Sequence, residues 1–153
     1  MTRPEPTSQD ARLREVQWVS QLLYRIAEQQ RMHYATCAGE FGLSAAQAKV
    51  LTSLRPAETL PMRTLADRVG SHPSNLTGLV DKLESRGALR RLPDPADRRV
   101  TALALTDDGR QLRDAFWRRL TSDPGPIAPL TPIQVRQLGE LLEAALEQNG
   151  FGG

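Results

Sequence analysis

Between Leu60 and Leu105 the spacing of apolar positions switches from a helical period to an alternating one. Leu65, Ala66 and Val69 share one side of a helix predicted over Met62 to Val69, with Arg63, Thr64, Asp67 and Arg68 on the other. Gly70 supplies the left-handed residue that stops it. A second helix follows, with Ser71 or His72 as N-cap and Pro73 near the first position, where a missing N–H costs nothing. Leu76, Leu79, Val80 and Leu83 fall at i, i+3, i+4 and i+7 and form one core-facing stripe. Ser74, Thr77, Gly78 and Asp81 occupy the opposite face, flanked by Asn75 and Lys82. Past Arg86 and Gly87, Leu89 to Leu92 and Val100 to Leu105 read as two short strands, the second alternating with period two. The polar, proline-containing run from Pro93 to Arg99 joins them as a turn.

The flanks carry longer helical patterns. From Asp10 to about Ala38, Leu13, Val16, Val19, Leu23, Ile26, Ala27 and Tyr34 give one long helix an apolar stripe. Gly39 to Gly42 interrupts it, and Ser44 with Gln47 forms a capping box that opens the next helix. Leu60 and Pro61 are expected to add a third short strand. Thr106 is the N-cap of a helix carrying Leu112, Ala115, Phe116 and Leu120, with Asp107 and Asp108 at the positive end of its dipole. That helix breaks at Asp123-Pro124-Gly125-Pro126, and Thr131-Pro132-Ile133-Gln134 starts a last one with Leu138, Leu141, Leu142, Ala145 and Leu146. The end helices carry more apolar surface than one small domain hides, which predicts a C2 homodimer in which they interlock. Residues 1–9 are expected to form a disordered tail, and Phe151-Gly152-Gly153 to fray.

The face of the second central helix is unusual for a solvent face, because weak helix formers with short polar groups replace the customary Glu, Lys, Arg and Ala. Short hydroxyl and amide groups let a helix lie deep in a major groove and still reach base edges or phosphates, and Gly78 permits close backbone approach. The competing reading is a polar solvent face with a glycine of no consequence. Arginines at the tip of the following hairpin reach a narrow minor groove or grip phosphates with their planar forks. Two helices, a tight turn and an arginine-tipped ribbon make a winged helix-turn-helix. The fold expected is mainly α with a small antiparallel β wing, with N- and C-terminal dimerisation helices at 10–38 and 107–148 around a core at 60–105, all within one domain spanning 10–149.

Composition narrows the alternatives. With 153 residues, 39% hydrophobic and 25% charged, the chain reads as one soluble globular domain. No apolar run approaches a membrane span and the start MTRPEPTSQDARLR has no apolar signal region, so a cytoplasmic location is expected, with no membrane partner. The net charge of +2 is weak, but Arg86, Arg90, Arg91, Arg98 and Arg99 cluster, which favours nucleic acid. Lysine occurs only at 49 and 82. His33 and His72 are the only histidines and Cys37 the only cysteine, so neither a metal site nor a cofactor is expected. The absence of a phosphate loop or a nucleophile elbow argues against an enzyme. One thiol forms no intrachain disulfide, and Cys37 reads first as a small buried residue and second as a redox sensor.

Four stretches carry a resemblance. They are Pro73-Ser74-Asn75-Leu76-Thr77-Gly78-Leu79-Val80-Asp81-Lys82-Leu83-Glu84, Arg86-Gly87, Asp94-Pro95-Ala96-Asp97-Arg98-Arg99 and Leu105-Thr106-Asp107-Asp108-Gly109. Together they are similar to the MarR (multiple-antibiotic-resistance-regulator) family of bacterial transcription factors. The resemblance implies a dimeric regulator of double-stranded DNA, usually a repressor, reading a palindromic operator. It places Ser71, Pro73, Ser74, Asn75, Thr77, Gly78 and Lys82 on the recognition segment and Arg91, Asp97, Arg98 and Arg99 on the DNA-binding wing. It gives Asp81 the role of bracing a wing arginine. It also implies a cleft for a small aromatic or anionic effector, for which Trp18, Met32, His33, Tyr34 and Trp117 are the candidates. Peroxide-sensing relatives place their cysteine nearer the start of the first long helix than Cys37, and the family's penultimate helix is often less interrupted than the one here. The rival function is a winged-helix protein–protein interaction module that does not bind DNA.

Overall fold

A computed structural model describes residues 8–148. The fraying expected at Phe151 to Gly153 lies outside these residues, as does the expected tail up to Thr7; Ser8 and Gln9, expected within that tail, are already helical. The chain divides into two compact units, Arg31–Ser122 on the one hand and Met1–Gln30 with Asp123–Gly153 on the other.

Helix α1 (Ser8–Glu40) runs two residues further at each end than its apolar stripe indicates. It closes when the amides of Phe41 and Leu43 turn back to Ala38 O, both at 3.0 Å, with Gly42 in the left-handed region at φ 64°. Helix α2 (Ala45–Ser53) starts at the expected capping box: Gln47 N donates to Ser44 Oγ at 3.2 Å while Ser44 N donates to Gln47 Oε1 at 2.8 Å. Strand β1 (Thr59–Pro61) leads into α3 (Met62–Val69), which ends on Gly70 at φ 63°. Helix α4 (Pro73–Ser85) is followed by β2 (Leu89–Pro93) and β3 (Thr101–Leu105).

The three strands pair antiparallel in the order β1-β3-β2, so the expected third strand is present at one edge. Leu60 and Arg91 both stand opposite Leu103, and Leu89 stands opposite Leu105. Helix α5 (Asp107–Ser122) is capped by Thr106, whose Oγ1 accepts from Gly109 N at 2.9 Å. It stops at the predicted break, where Asp123 Oδ1 accepts from Gly125 N and a 3₁₀ turn spans Gly125–Ile127. Helix α6 (Pro132–Gln148) begins at the reciprocal bonds between Thr131 and Gln134.

The hydrophobic core belongs to the Arg31–Ser122 unit. Leu51 from α2, Leu54 at its C-cap, Leu65 from α3, Leu76, Val80 and Leu83 from α4, Leu103 from β3 and Phe116 from α5 are all fully buried. Tyr34 and Phe41 meet Phe116 edge-on, with ring centroids 5.1 and 5.9 Å apart, the arrangement favoured by aromatic quadrupoles. Among the described residues the other unit has no such interior within one chain. Trp18 is 62% exposed, Ile133 67% and Leu141 71%, and Leu13, Val16, Val19 and Leu23 along α1 also face solvent. Leaving this much apolar side chain in water forfeits about 25 cal/mol for each Å² that a partner would cover. Among the described residues no helix is long and apolar enough to cross a membrane.

Candidate nucleic-acid interface

Helix α4 is divided lengthwise by its burial. Leu76, Val80 and Leu83 are buried and Leu79 half-buried, which anchors the apolar stripe. Ser74, Asn75, Thr77, Gly78, Asp81 and Lys82 are all exposed, as the sequence pattern requires. A Cβ built on Gly78 meets nothing within 4 Å, so no packing inside the chain requires a glycine there. Glycine in mid-helix costs roughly 0.5–1 kcal/mol relative to alanine. Gly78→Ala is therefore expected to raise thermal stability by about that amount while weakening binding of any duplex that lies against this face. Thermal melts paired with binding titrations check it; an alanine variant that binds as tightly as the parent would remove the close-approach role of Gly78.

Ser71 and Pro73 sit at the entry to this helix. The Ser71 amide donates to Ala66 O at 3.0 Å and the Gly70 amide to Asp67 O at 3.1 Å, which closes α3 and makes Ser71 part of the turn. His72, rather than Ser71, is the N-cap.

The wing is ordered by its own backbone. Asp94, 8% exposed, accepts from the amides of Ala96 (2.7 Å) and Asp97 (3.3 Å) through Oδ1. Its own N–H donates to Val100 O at 2.8 Å, and Val100 N returns a bond to Asp97 O at 2.9 Å. Asp97, expected as a contact residue, accepts from Arg99 N at 3.0 Å and so shapes the tip. Arg98 and Arg99 project from this tip into solvent.

Arg91 is turned onto its own chain. Its guanidinium donates to Asp81 Oδ1 at 2.6 Å and to Glu84 Oε2, and its amide donates to Glu84 Oε1 at 3.2 Å. The hydrogen bond to Asp81 is the main reason its pKa is raised above the ordinary arginine value, with the charges of Glu84 and Asp81 adding to it. Two carboxylates claim its fork, so in this structure Arg91 ties β2 to α4. Asp81 is thus paired with an arginine of the wing strand β2. Arg86, counted in the basic cluster, is likewise turned back onto the chain and donates to the carbonyls of Gly42 (2.9 Å) and Phe41 (2.6 Å). Lys82, Arg90, Arg98 and Arg99 are all exposed and bring positive charge to this surface. Sequence spacing does not show which arginines face carbonyls and carboxylates brought near by folding.

The effector candidates are distributed. Tyr34 is half-buried, its hydroxyl 3.3 Å from Thr52 Oγ1, and burial raises its pKa against a smaller lowering by that hydrogen bond. His33 Nε2 lies 3.6 Å from the Sγ of Cys37, which is fully buried. Met32 and Trp117 are exposed, and Trp18 belongs to the other compact unit. A surface pocket lies along α3 and β3, lined by Met62, Arg63, Asp67, Val100 and Thr101.

The family model described as MarR family matches residues 43–101, the whole of α2 through the start of β3. The transcriptional regulator MhqR of Bacillus subtilis is 30% identical over 103 residues, covering 67% of this chain and 71% of that protein. The chain belongs to the MarR family. A MarR-family transcriptional regulator from Rhodococcus sp. RHA1 superposes with a TM-score of 0.73 at 30% identity, covering 85% of this chain and 93% of the other. CouR from Rhodococcus jostii RHA1, solved with p-coumaroyl-CoA, superposes with a TM-score of 0.75 at 29% identity over 88% and 93% of the two chains. With two other regulators of Bacillus subtilis described as HTH-type the shared stretch is shorter, and the chain spans about half their length, 48% and 44%.

Proposed function

We propose that this MarR-family chain is a sequence-specific DNA-binding regulator of transcription, not an enzyme. It acts as a cytoplasmic homodimer on a palindromic operator, and usually as a repressor. The observation that carries this reading is the pairing of two surfaces. The exposed face of short polar residues on α4 and the arginine-tipped wing are tied together by Arg91, Asp81 and Glu84, so both meet a duplex as one unit. The α4 face suits the major groove, and Arg98 and Arg99 suit the adjacent minor groove or its phosphates. Asp81 held by Arg91 is kept from facing a phosphate as an unpaired like charge.

The exposed apolar residues of α1 and α6 support a second copy of the chain as the partner. Twofold symmetry would then repeat the recognition helix at a spacing of about 34 Å, one turn of DNA. A small aromatic or anionic effector would act by favouring one spacing of the recognition helices over another. The p-coumaroyl-CoA bound by CouR supports that class of ligand. An interaction module without DNA binding has no need of a weak-helix-forming polar face beside free arginines. Full burial of Cys37 favours a structural thiol over a redox sensor.

Selection of bound DNA from a random duplex pool is expected to return an inverted repeat. Affinity for it should fall roughly 10³-fold or more between 50 and 200 mM salt if about six phosphates are contacted. A protein that stays monomeric at micromolar concentration and enriches no repeat would contradict the proposal.

A further inference from the structure

His72 holds the N-cap of α4 in extended backbone, with φ −67° and ψ 140°. Serine, threonine, aspartate and asparagine ordinarily fill that position. Here an imidazole does, with Nδ1 2.8 Å from Ser74 Oγ and 3.4 Å from Ser74 N. An amide nitrogen only donates, so Nδ1 presents a lone pair, and a neutral ring that accepts through Nδ1 carries its proton on Nε2. The side chain is exposed, and among the described residues Nε2 has no hydrogen-bond partner. With Nδ1 accepting from Ser74 N, the ring's remaining donor is Nε2–H, immediately beside the exposed groups of Ser74 and Asn75.

We propose that His72 is a contact residue of the interface, donating its Nε2–H to an acceptor on duplex DNA while Nδ1 caps the recognition helix. This rests on the reading of α4 as the recognition helix. Serine at the same place would cap but is too short to reach outward, and aspartate would cap but set a like charge against phosphate. Imidazole separates the two tasks by the width of its ring. The acceptor is either a phosphate oxygen or a purine N7 or O6 in the major groove, which present the same chemistry to the donor.

Three variants tested on the selected operator separate cap from contact. His72→Ser keeps the cap and loses the donor: its melting temperature should match the parent, with operator affinity about 10- to 100-fold lower, the worth of one hydrogen bond in each of the two half-sites. His72→Ala loses both and should fall in stability and in affinity. His72→Gln gives up the cap but places an N–H far along the side chain, so it should melt like the alanine variant yet bind more tightly than it. A phosphate contact appears as the same loss on every base-substituted operator, and a base contact as relaxed preference at one base pair. A His72→Ser protein that binds with parental affinity, or a glutamine variant no better than alanine, overturns the assignment. Parental protein that selects no duplex would sink the DNA reading itself, whereas parental binding with an indifferent His72→Ser sinks only this contact.

Discussion

Gly109→Ala is expected to destabilise the protein by about 3 kcal/mol, which lowers the melting temperature by roughly 6–12 °C for a domain of this size. A Cβ at this position would stand 1.9 Å from Ala88 O and 2.8 Å from Ala88 C, both backbone atoms with no rotamer to yield. The close approach has a cause. The Thr106 amide donates to Ala88 O at 3.1 Å and the Thr106 hydroxyl to Gly87 O, so the start of α5 is bonded directly to the backbone leading into β2. Alanine is the better helix former by about 1 kcal/mol, and on propensity alone the substitution would stabilise. Steric overlap with backbone outweighs that gain. Gly78→Ala, where a Cβ meets open space, is the matched control of opposite sign. A Gly109→Ala protein that melts with the parent would show that the α5 start moves away from Ala88 at no cost.

Alanine at both Arg98 and Arg99 is expected to lower operator affinity by about 2–3 kcal/mol, a loss of roughly 30- to 150-fold, as charge-assisted hydrogen bonds to DNA are removed. Stability should change by no more than about 0.5 kcal/mol, because both side chains are exposed and the tip is shaped by Asp94, Asp97 and backbone bonds that the substitutions leave intact. The slope of log affinity against log salt should become shallower by close to one for each phosphate that the variant no longer neutralises. Salt-dependent binding titrations of the double variant check this. Unchanged affinity would remove the wing from the interface and leave α4 alone to carry it.

The contrast with Arg91 explains why Arg98 and Arg99 are set apart from their neighbours only by the fold. All three read alike along the chain, and Arg91 sits between strand residues much as a wing contact would. Folding brings α4 beside β2, so Asp81 and Glu84, one helical turn apart, converge on its guanidinium. Arg86 is decided the same way by carbonyls 44 and 45 residues earlier in the chain. The candidate effector residues show the same limit, since Tyr34 turns out to rest against Phe116 from a helix far along the chain.

Local chemistry, by contrast, was legible throughout. The capping boxes at Ser44 and Thr131, the left-handed Gly70, the Thr106 cap and the break after Ser122 each depend on a few adjacent residues, and each stands where those residues put it. Periodicity likewise marked the buried stripe of α4 and the alternating wing strand, because side-chain direction repeats with backbone geometry. The sequence by itself therefore determined the elements, their order, and the polar face that one helix shows to solvent. Only the tertiary structure decided which arginines serve as struts and which stay free, and why Gly109 must be glycine. Those outcomes depend on distances between residues far apart in the chain, and such distances exist only once the helices and strands have packed.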